Sequence, residues 1–432
     1  AASAEASSSL FRMRARGGAV ILLKSRTNLP NELQTFPVVL ILIVMRKIFV
    51  FTSSRADYGH LFEIVNGLIE SKQVIVKLLV GGTHLSEDFG STIDQIMSDG
   101  FKVNYQINFT RSGDSSLDIS IANANALRIA AKIFSLDRPD LLVLLGDRIE
   151  ILALAQAAFI AGIPIAHIHG GEITEGAIDD SVRHAVTKLS NLHFAATDEY
   201  RKRILQLGEA ERTVFNFGAP GIDSLKKTKT LTLNEIEREL KFKLGKIYFL
   251  VTFHPATLEI DMEHNLLVNF LQVFEEEENA KMLITYPNND EQSSEFIKTI
   301  RNAQQKNPDR ICIFKSLGRE YYINAMRNAR AIVGNSSSGI IEAPSIGIPT
   351  INIGSRQRGR IRANSILDCD GSKESIRKAI RMVFNENFRN LCQTCCNPYG
   401  DGASAPRIVE VLSNYPLTNL IRKRFHDCRV VD

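Results

Sequence analysis

The stretch Gly334-Asn335-Ser336-Ser337-Ser338-Gly339-Ile340-Ile341-Glu342-Ala343-Pro344 joins small residues and hydroxyls to a carboxylate one to two helical turns later. At a strand-to-helix turn such residues leave backbone N–H groups free, and the helix dipole adds partial positive charge there. That combination suits a diphosphate. Glu342 can accept hydrogen bonds from a ribose diol, as the acidic residue of dinucleotide folds does. The plainer alternative is a core helix capped by serine. Other polar clusters are Ser53-Ser54-Arg55-Ala56-Asp57-Tyr58-Gly59, Gly81-Gly82-Thr83-His84, Gly146-Asp147-Arg148, His167-Ile168-His169-Gly170-Gly171-Glu172, Asp179-Asp180-Ser181-Val182-Arg183-His184, Thr252-Phe253-His254-Pro255 and Tyr286-Pro287-Asn288-Asn289-Asp290. Asp147, Glu172, Asp179 and Asp180 can take and give protons if burial and neighbouring carboxylates raise their pKa. Arg55, Arg148, Arg356 and His254 can neutralise a leaving diphosphate. The chemistry is acid–base work on a neutral sugar carried by a diphosphate. Taken singly, each cluster has a structural reading: Asp147 as a cap, His167 or His169 as a buried hydrogen-bonded ring, Asp179 and Asp180 as a solvated first turn. The chain carries no Walker motif, no Ser–His–Asp order and no His-Glu-x-x-His helix.

The clusters follow short apolar runs. Strands are expected at Ile48–Thr52, Val74–Val80, Lys102–Ile107, Leu141–Leu145, Ile165–Ile168, Leu192–Ala196 and Thr213–Phe217. Helices are expected between them, at Leu61–Glu70, Ile93–Asp99, Ile119–Leu136, Ile149–Ala161 and Ser181–Lys188. After the breaker Gly218-Ala219-Pro220-Gly221 a second series begins, with strands at Tyr248–Thr252, Lys281–Ile284, Ile311–Phe314, Arg330–Val333 and Thr350–Ile353. Alternation of this kind predicts parallel sheets covered on both faces. The fold class is therefore α/β: two doubly wound domains, 45–219 and 220–402, facing a cleft where their strands end.

The chain has 432 residues, 44% of them hydrophobic, enough for two domains. Its net charge of +4 gives no reason to expect nucleic acid as a partner. Most of that charge falls in residues 1–44, where five Lys/Arg stand against Glu5 and Glu32. This segment is Ala/Ser-rich, then basic, then apolar over Val38–Val44. The apolar run is short of the ~20 residues that span a bilayer and too far in for an ordinary signal peptide. Residues 1–44 are read as an extension outside a fold that starts at Met45, with a membrane or targeting segment as the alternative. Cys312, Cys369, Cys392, Cys395, Cys396 and Cys428 are too few for a disulfide framework in a chain this long. The cluster Cys392-x-x-Cys395-Cys396 has no second paired motif, so no metal site is assigned. A reduced, cytoplasmic setting is expected.

With these residues in view, the chain resembles the hydrolysing UDP-N-acetylglucosamine 2-epimerases of sialic acid biosynthesis. These are the bacterial enzymes and the epimerase domain of the human bifunctional enzyme. The resemblance covers Met45 to about Phe425. It rests on Arg55-Ala56-Asp57-Tyr58, Gly146-Asp147-Arg148, His169-Gly170-Gly171-Glu172, Ile178-Asp179-Asp180-Ser181-Val182-Arg183-His184, Gly334-Asn335-Ser336-Ser337 and Tyr399-Gly400-Asp401-Gly402, in the family's order. It implies two Rossmann-like domains in the glycosyltransferase-B arrangement, with a last helix within about 403–425 crossing back to the first domain. It also implies a homodimer, no membrane partner, and a reaction without metal or NAD. UDP would leave C1 as a base removes the C2 proton, and water would add to the resulting 2-acetamidoglucal, giving N-acetylmannosamine. Carried over, Asp147 and Glu172 are the acid–base pair, with Asp179 or Asp180 near C2. His254 sits by the diphosphate, Ser336 and Ser337 bind its oxygens, and Glu342 holds the ribose. Arg148 and Arg356 contact UDP, Arg55 and His84 line the sugar side, and Arg183 and Asn288 join the substrate-binding set. Gly59 stands where the human domain has serine, and Ser338 where it has cysteine. Ile178-Asp179-Asp180 replaces the Pro-Glu-Glu of non-hydrolysing relatives and favours the hydrolysing branch. A 2-epimerase for a 2,4-diacetamido-trideoxy sugar, on the path to legionaminic acid, is the alternative within the family. A glycosyltransferase of the same fold and a non-catalytic UDP-sugar-binding protein are alternatives of other classes.

Overall fold

Strands with no polar position must be covered on both faces, and that requirement organises the molecule. The structure, a computed structural model, describes residues 10–15, 18–23, 43–87, 90–109, 113, 115–175, 177–255, 260–288 and 291–427. Cys428, Asn289 and Asp290 lie outside them. Strands β1 (Leu10–Ala15), β2 (Gly18–Leu23) and β3 (Ile43–Val44) pair antiparallel among themselves and form a small separate sheet.

The first large sheet holds β4 (Arg46–Thr52), β5 (Val74–Gly81), β6 (Val103–Ile107), β7 (Leu141–Leu145), β8 (Ile165–Ile168), β9 (Leu192–Ala195) and β10 (Val214–Asn216). All its pairs are parallel, in the order β10-β9-β8-β7-β4-β5-β6. Alternation along β4 serves two cores. Ile48 and Val50 pack with Leu61, Ile64 and Leu68 of the helix Arg55–Glu70, while Phe49 and Phe51 pack with Ala126, Ala130 and Leu154 on the other face.

The second large sheet holds β11 (Tyr248–Thr252), β12 (Lys281–Thr285), β13 (Ile311–Phe314), β14 (Ala331–Gly334), β15 (Thr350–Ile353) and β16 (Ile366–Cys369). It too is parallel, in the order β13-β12-β11-β14-β15-β16. In both sheets the first strand lies between the second and the fourth, so strand order reverses between β4 and β7, and between β11 and β14. A crevice opens beyond the strand ends at each reversal.

The helix Ser404–Asn414 lays Ala405, Ile408 and Leu412 into the first domain's core beside Leu61 and Val65. Its N-terminus is held by Asp223, whose carboxylate accepts from the N–H of Ser404 (3.0 Å) and Ala405 (2.9 Å). Among the described residues no helix is long and apolar enough to cross a membrane.

Candidate active site

The loops after β4, β7, β8, β11 and β14 converge on a cleft with two adjoining lobes of about 740 and 890 Å³. Ala56, His60, Asn288, Ser337 and Arg356 line both. One lobe, the carboxylate lobe, is faced by Asp147, Arg148, Glu172, Asp179 and Arg183. The other, the hydroxyl lobe, is faced by His254, Ser336, Ser338 and Glu342.

Gly334 makes the hydroxyl lobe possible. Its φ of +124° and a Cβ position 2.0 Å from the Thr252 carbonyl oxygen exclude every other residue. Ser336 then stands at the N-cap position of the helix Ser337–Ile341 without a side-chain capping bond, and Ser338 donates to Glu342. That helix has five residues, so an anion here meets hydroxyls and local N–H groups rather than the dipole of a long helix, which corrects the expectation. His254 Nδ1 accepts from the Asn288 N–H (3.0 Å), leaving Nε2 to carry the ring proton. Burial, and then the charges of Arg356, Arg55 and Arg148, push its pKa well below the usual range. His254 is therefore a neutral donor, not the cation expected from sequence. Arg356 lines both lobes and donates to the Asn335 carbonyl (3.1 Å).

Arg183 organises the carboxylate lobe. It is 1% exposed and donates to the Glu172 carbonyl (2.9 Å), Thr174 Oγ1 (2.9 Å), Asp180 Oδ1 (3.3 Å) and the Asp147 carboxylate. Glu172 is held from both sides: His169 Nδ1 lies 2.6 Å from Oε1, and Arg360 Nη2, from the second domain, lies 2.9 Å from Oε2. Burial alone raises the pKa of both carboxyls. Arg183 and Arg360 outweigh it at Asp147, and Arg360 with His169 outweighs it at Glu172, so both stay below the usual carboxylate range. The expected upward shift is thus reversed, because two arginines share the site with the acids. Asp179 faces the lobe. Asp180 instead accepts from the Thr174 N–H (2.7 Å) and from Arg183, fixing the loop.

Two placements differ from expectation. His84 is fully buried away from both lobes, bonded to Thr52 Oγ1 (2.9 Å) and Thr92 Oγ1 (2.7 Å), because the turn Gly82–Leu85 tucks it under Tyr58. Burial pulls its pKa down to about 3. Arg55 faces the hydroxyl lobe, not the carboxylate lobe, and its guanidinium reaches across the cleft to the carbonyls of Tyr286 (2.7 Å) and Lys315. Arg148 lies beside Glu150 (Nε to Oε1, 2.8 Å) on the carboxylate side.

His60 and Arg360 face the site without having been singled out, and His169, named in its cluster, faces it without having been given a role. His60 lies inside the helix Arg55–Glu70, four residues on from Ala56 on the same face; a helix started at Leu61 hides that spacing. Arg360 follows Gly359, whose φ of +89° and approach to Ile173 bring the loop against the first domain. The signal was one glycine between two arginines. Among the described residues no group of three or more His, Cys, Asp or Glu is placed to hold a metal ion.

Two parallel sheets with matching strand order, meeting across a two-lobed cleft, define the class: a two-domain α/β protein of glycosyltransferase-B type. A family model described as UDP-N-acetylglucosamine 2-epimerase matches residues 67–413. A GDP/UDP-N,N'-diacetylbacillosamine 2-epimerase (hydrolyzing) of Campylobacter jejuni is 34% identical over 383 residues, covering 88% of this chain and 99% of its own. A UDP-N,N'-diacetylbacillosamine 2-epimerase (hydrolyzing) of Legionella pneumophila is 33% identical over 380 residues, 88% and 98%. The polysialic acid biosynthesis protein P7 of Escherichia coli is 34% identical over 374 residues, 86% and 94%. The crystal structure of UDP-GlcNAc 2-epimerase from Neisseria meningitidis bound to UDP-GlcNAc shares the fold, with a TM-score of 0.72 at 20% identity, covering 85% of this chain and 99% of that one. The chain belongs to the UDP-N-acetylglucosamine 2-epimerase family.

Proposed function

We propose that the protein is a hydrolysing 2-epimerase acting on UDP-2,4-diacetamido-2,4,6-trideoxyglucose, UDP-N,N'-diacetylbacillosamine. The observation that carries the hydrolytic elimination is the pairing of two lobes. The hydroxyl lobe offers neutral and cationic donors to a diphosphate, and the carboxylate lobe next to it offers anionic carboxylates to the sugar. UDP sits in the hydroxyl lobe, with Ser336, Ser337, His254 and Arg356 at its phosphates and Glu342 at its ribose. These donors stabilise the charge that grows on the diphosphate as the C1–O bond breaks. Asp147, Glu172 and Asp179 serve C2, where a proton leaves to give a 2-acetamidoglucal and returns on the other face as water adds at C1. The sugar assignment is supported by the activity named for the Campylobacter and Legionella relatives. Ala56, Leu145, Ala177 and Ile341 give the carboxylate lobe an apolar lining that a 6-deoxy sugar can use.

UDP-N-acetylglucosamine, giving N-acetylmannosamine for sialic acid, is the second reading, favoured by the equally similar polysialic acid protein. Measuring kcat/KM for the two UDP-sugars by UDP release decides between them. A preference of tenfold or more for the diacetamido sugar is expected; the reverse preference gives the site to N-acetylglucosamine.

A further inference from the structure

We infer that the imidazole of His169, oriented by Glu172, moves the C2 proton on one face of the sugar, with Nε2 as the reacting atom; this rests on the elimination proposed above. Four observations carry it. His169 sits just past β8 with φ +65°, a left-handed conformation that non-glycine residues rarely adopt and that functional sites retain. Its N–H donates to the Phe194 carbonyl (3.0 Å), which holds that backbone in place. The ring lines the carboxylate lobe with Nδ1 at 2.6 Å from Glu172 Oε1. A carboxylate on Nδ1 makes Nδ1 the protonated nitrogen, so the neutral ring keeps its lone pair on Nε2. Among the described residues Nε2 is buried and has no hydrogen-bond partner.

Glu172 is placed to orient rather than to react. One oxygen faces His169 and the other faces Arg360. A base with a buried carboxylate behind its far nitrogen is the arrangement by which imidazoles are aimed and their cations stabilised. The other groups facing His169 are His60 of the helix Arg55–Glu70, with ring centroids 5.3 Å apart, and Glu342 of the second domain. Arg360 and Arg183 stand one step further, around Glu172.

In the step, the Nε2 lone pair takes the C2 hydrogen as a proton. The C2–H electron pair becomes the C1=C2 double bond, and the C1–O pair leaves with UDP. Water then supplies hydroxyl to C1, and its proton passes to C2 on the opposite face through Asp147 or Asp179. The imidazolium returns its own proton to solvent. Water is consumed, and free sugar, UDP and one proton are formed.

The test compares wild type, His169→Asn and Glu172→Gln by UDP release across pH 5–9. Asparagine tolerates the left-handed backbone and keeps an amide toward Glu172. His169→Asn should lose roughly 10²–10⁴-fold in turnover, keep its melting temperature and UDP affinity, and lose the acid limb of kcat/KM. Glu172→Gln should keep that limb at reduced turnover, because the imidazole that acts remains in place. A limb that survives in His169→Asn and vanishes in Glu172→Gln makes Glu172 the base and overturns the inference. If His169→Asn melts early, Glu172→Gln decides alone: a retained limb supports the inference, and a lost limb defeats it. Wild type that releases no UDP from either sugar defeats the epimerase reading and this inference with it. Active wild type beside an equally active His169→Asn defeats this inference only.

Discussion

Replacing Arg183 by methionine removes a side chain that joins four parts of the carboxylate lobe. The guanidinium is 1% exposed and bonds to the Glu172 carbonyl, Thr174 Oγ1, Asp180 Oδ1 and the Asp147 carboxylate. Methionine fills the space but leaves Asp147, whose side chain is 21% exposed, an anion with Arg360 as its remaining charge partner. Removing one member of a fully buried pair costs about 3–5 kcal/mol, and the exposure of Asp147 brings this pair to about 3 kcal/mol or less. For a domain of this size each kcal/mol moves the melting temperature by about 2–4 °C, so the first domain should melt up to roughly 6–12 °C lower. Asp147→Asn in the same chain should recover part of the loss, because the stranded charge is gone. Calorimetry of the four chains closes the cycle. UDP affinity should hardly move, since Arg183 does not line the hydroxyl lobe. A shift below about 2 °C in Arg183→Met, judged on the same scale, or a double variant less stable than the single one, would refute the reasoning.

Three further outcomes follow from other parts of the molecule. Ser336→Ala with Ser337→Ala should weaken UDP binding by tenfold or more, each charge-assisted hydrogen bond being worth roughly 1.5–3 kcal/mol; unchanged affinity by titration calorimetry would place the diphosphate elsewhere. Burial raises the Glu209 carboxyl pKa, but bonds from His193, Lys188 and Lys423 outweigh it and hold the group down at about 2. A depressed folded pKa gives stability that is present above the unfolded value near ~4.3 and is lost as pH falls toward 2; Glu209→Gln should flatten that acid limb in a melting series. We propose that residues 1–44 lie outside the folded unit, since among the described residues β1, β2 and β3 pair with one another and not with either large sheet. A chain beginning at Met45 should then keep its melting temperature and turnover, and one that unfolds would show the segment to be part of the fold.

The parallel strands were legible because central strands such as Leu141–Leu145 are apolar at every position, as a strand covered on both faces must be. β16 was not legible: Ile366–Cys369 is a short edge strand interrupted by Asp368. The start of the helix Arg55–Glu70 was hidden by polar residues that face the cleft rather than solvent, and His60 was hidden with it. The protonation states could not be read locally. Arg360 belongs to the second domain and Glu172 to the first, so the ion pair that reverses the pKa of Glu172 exists only once both loops meet. His84 looked like a site residue because it follows a glycine pair after a strand; the hydroxyls of Thr52 and Thr92 claim both its nitrogens instead.

Elimination followed by hydration is the reaction proposed for this cleft. The most direct measurement is the product formed from UDP-N,N'-diacetylbacillosamine in D2O, followed by NMR. UDP is expected together with free sugar inverted at C2 and carrying deuterium there. Product with its original hydrogen at C2, or a 2-epimer still joined to UDP, would contradict it.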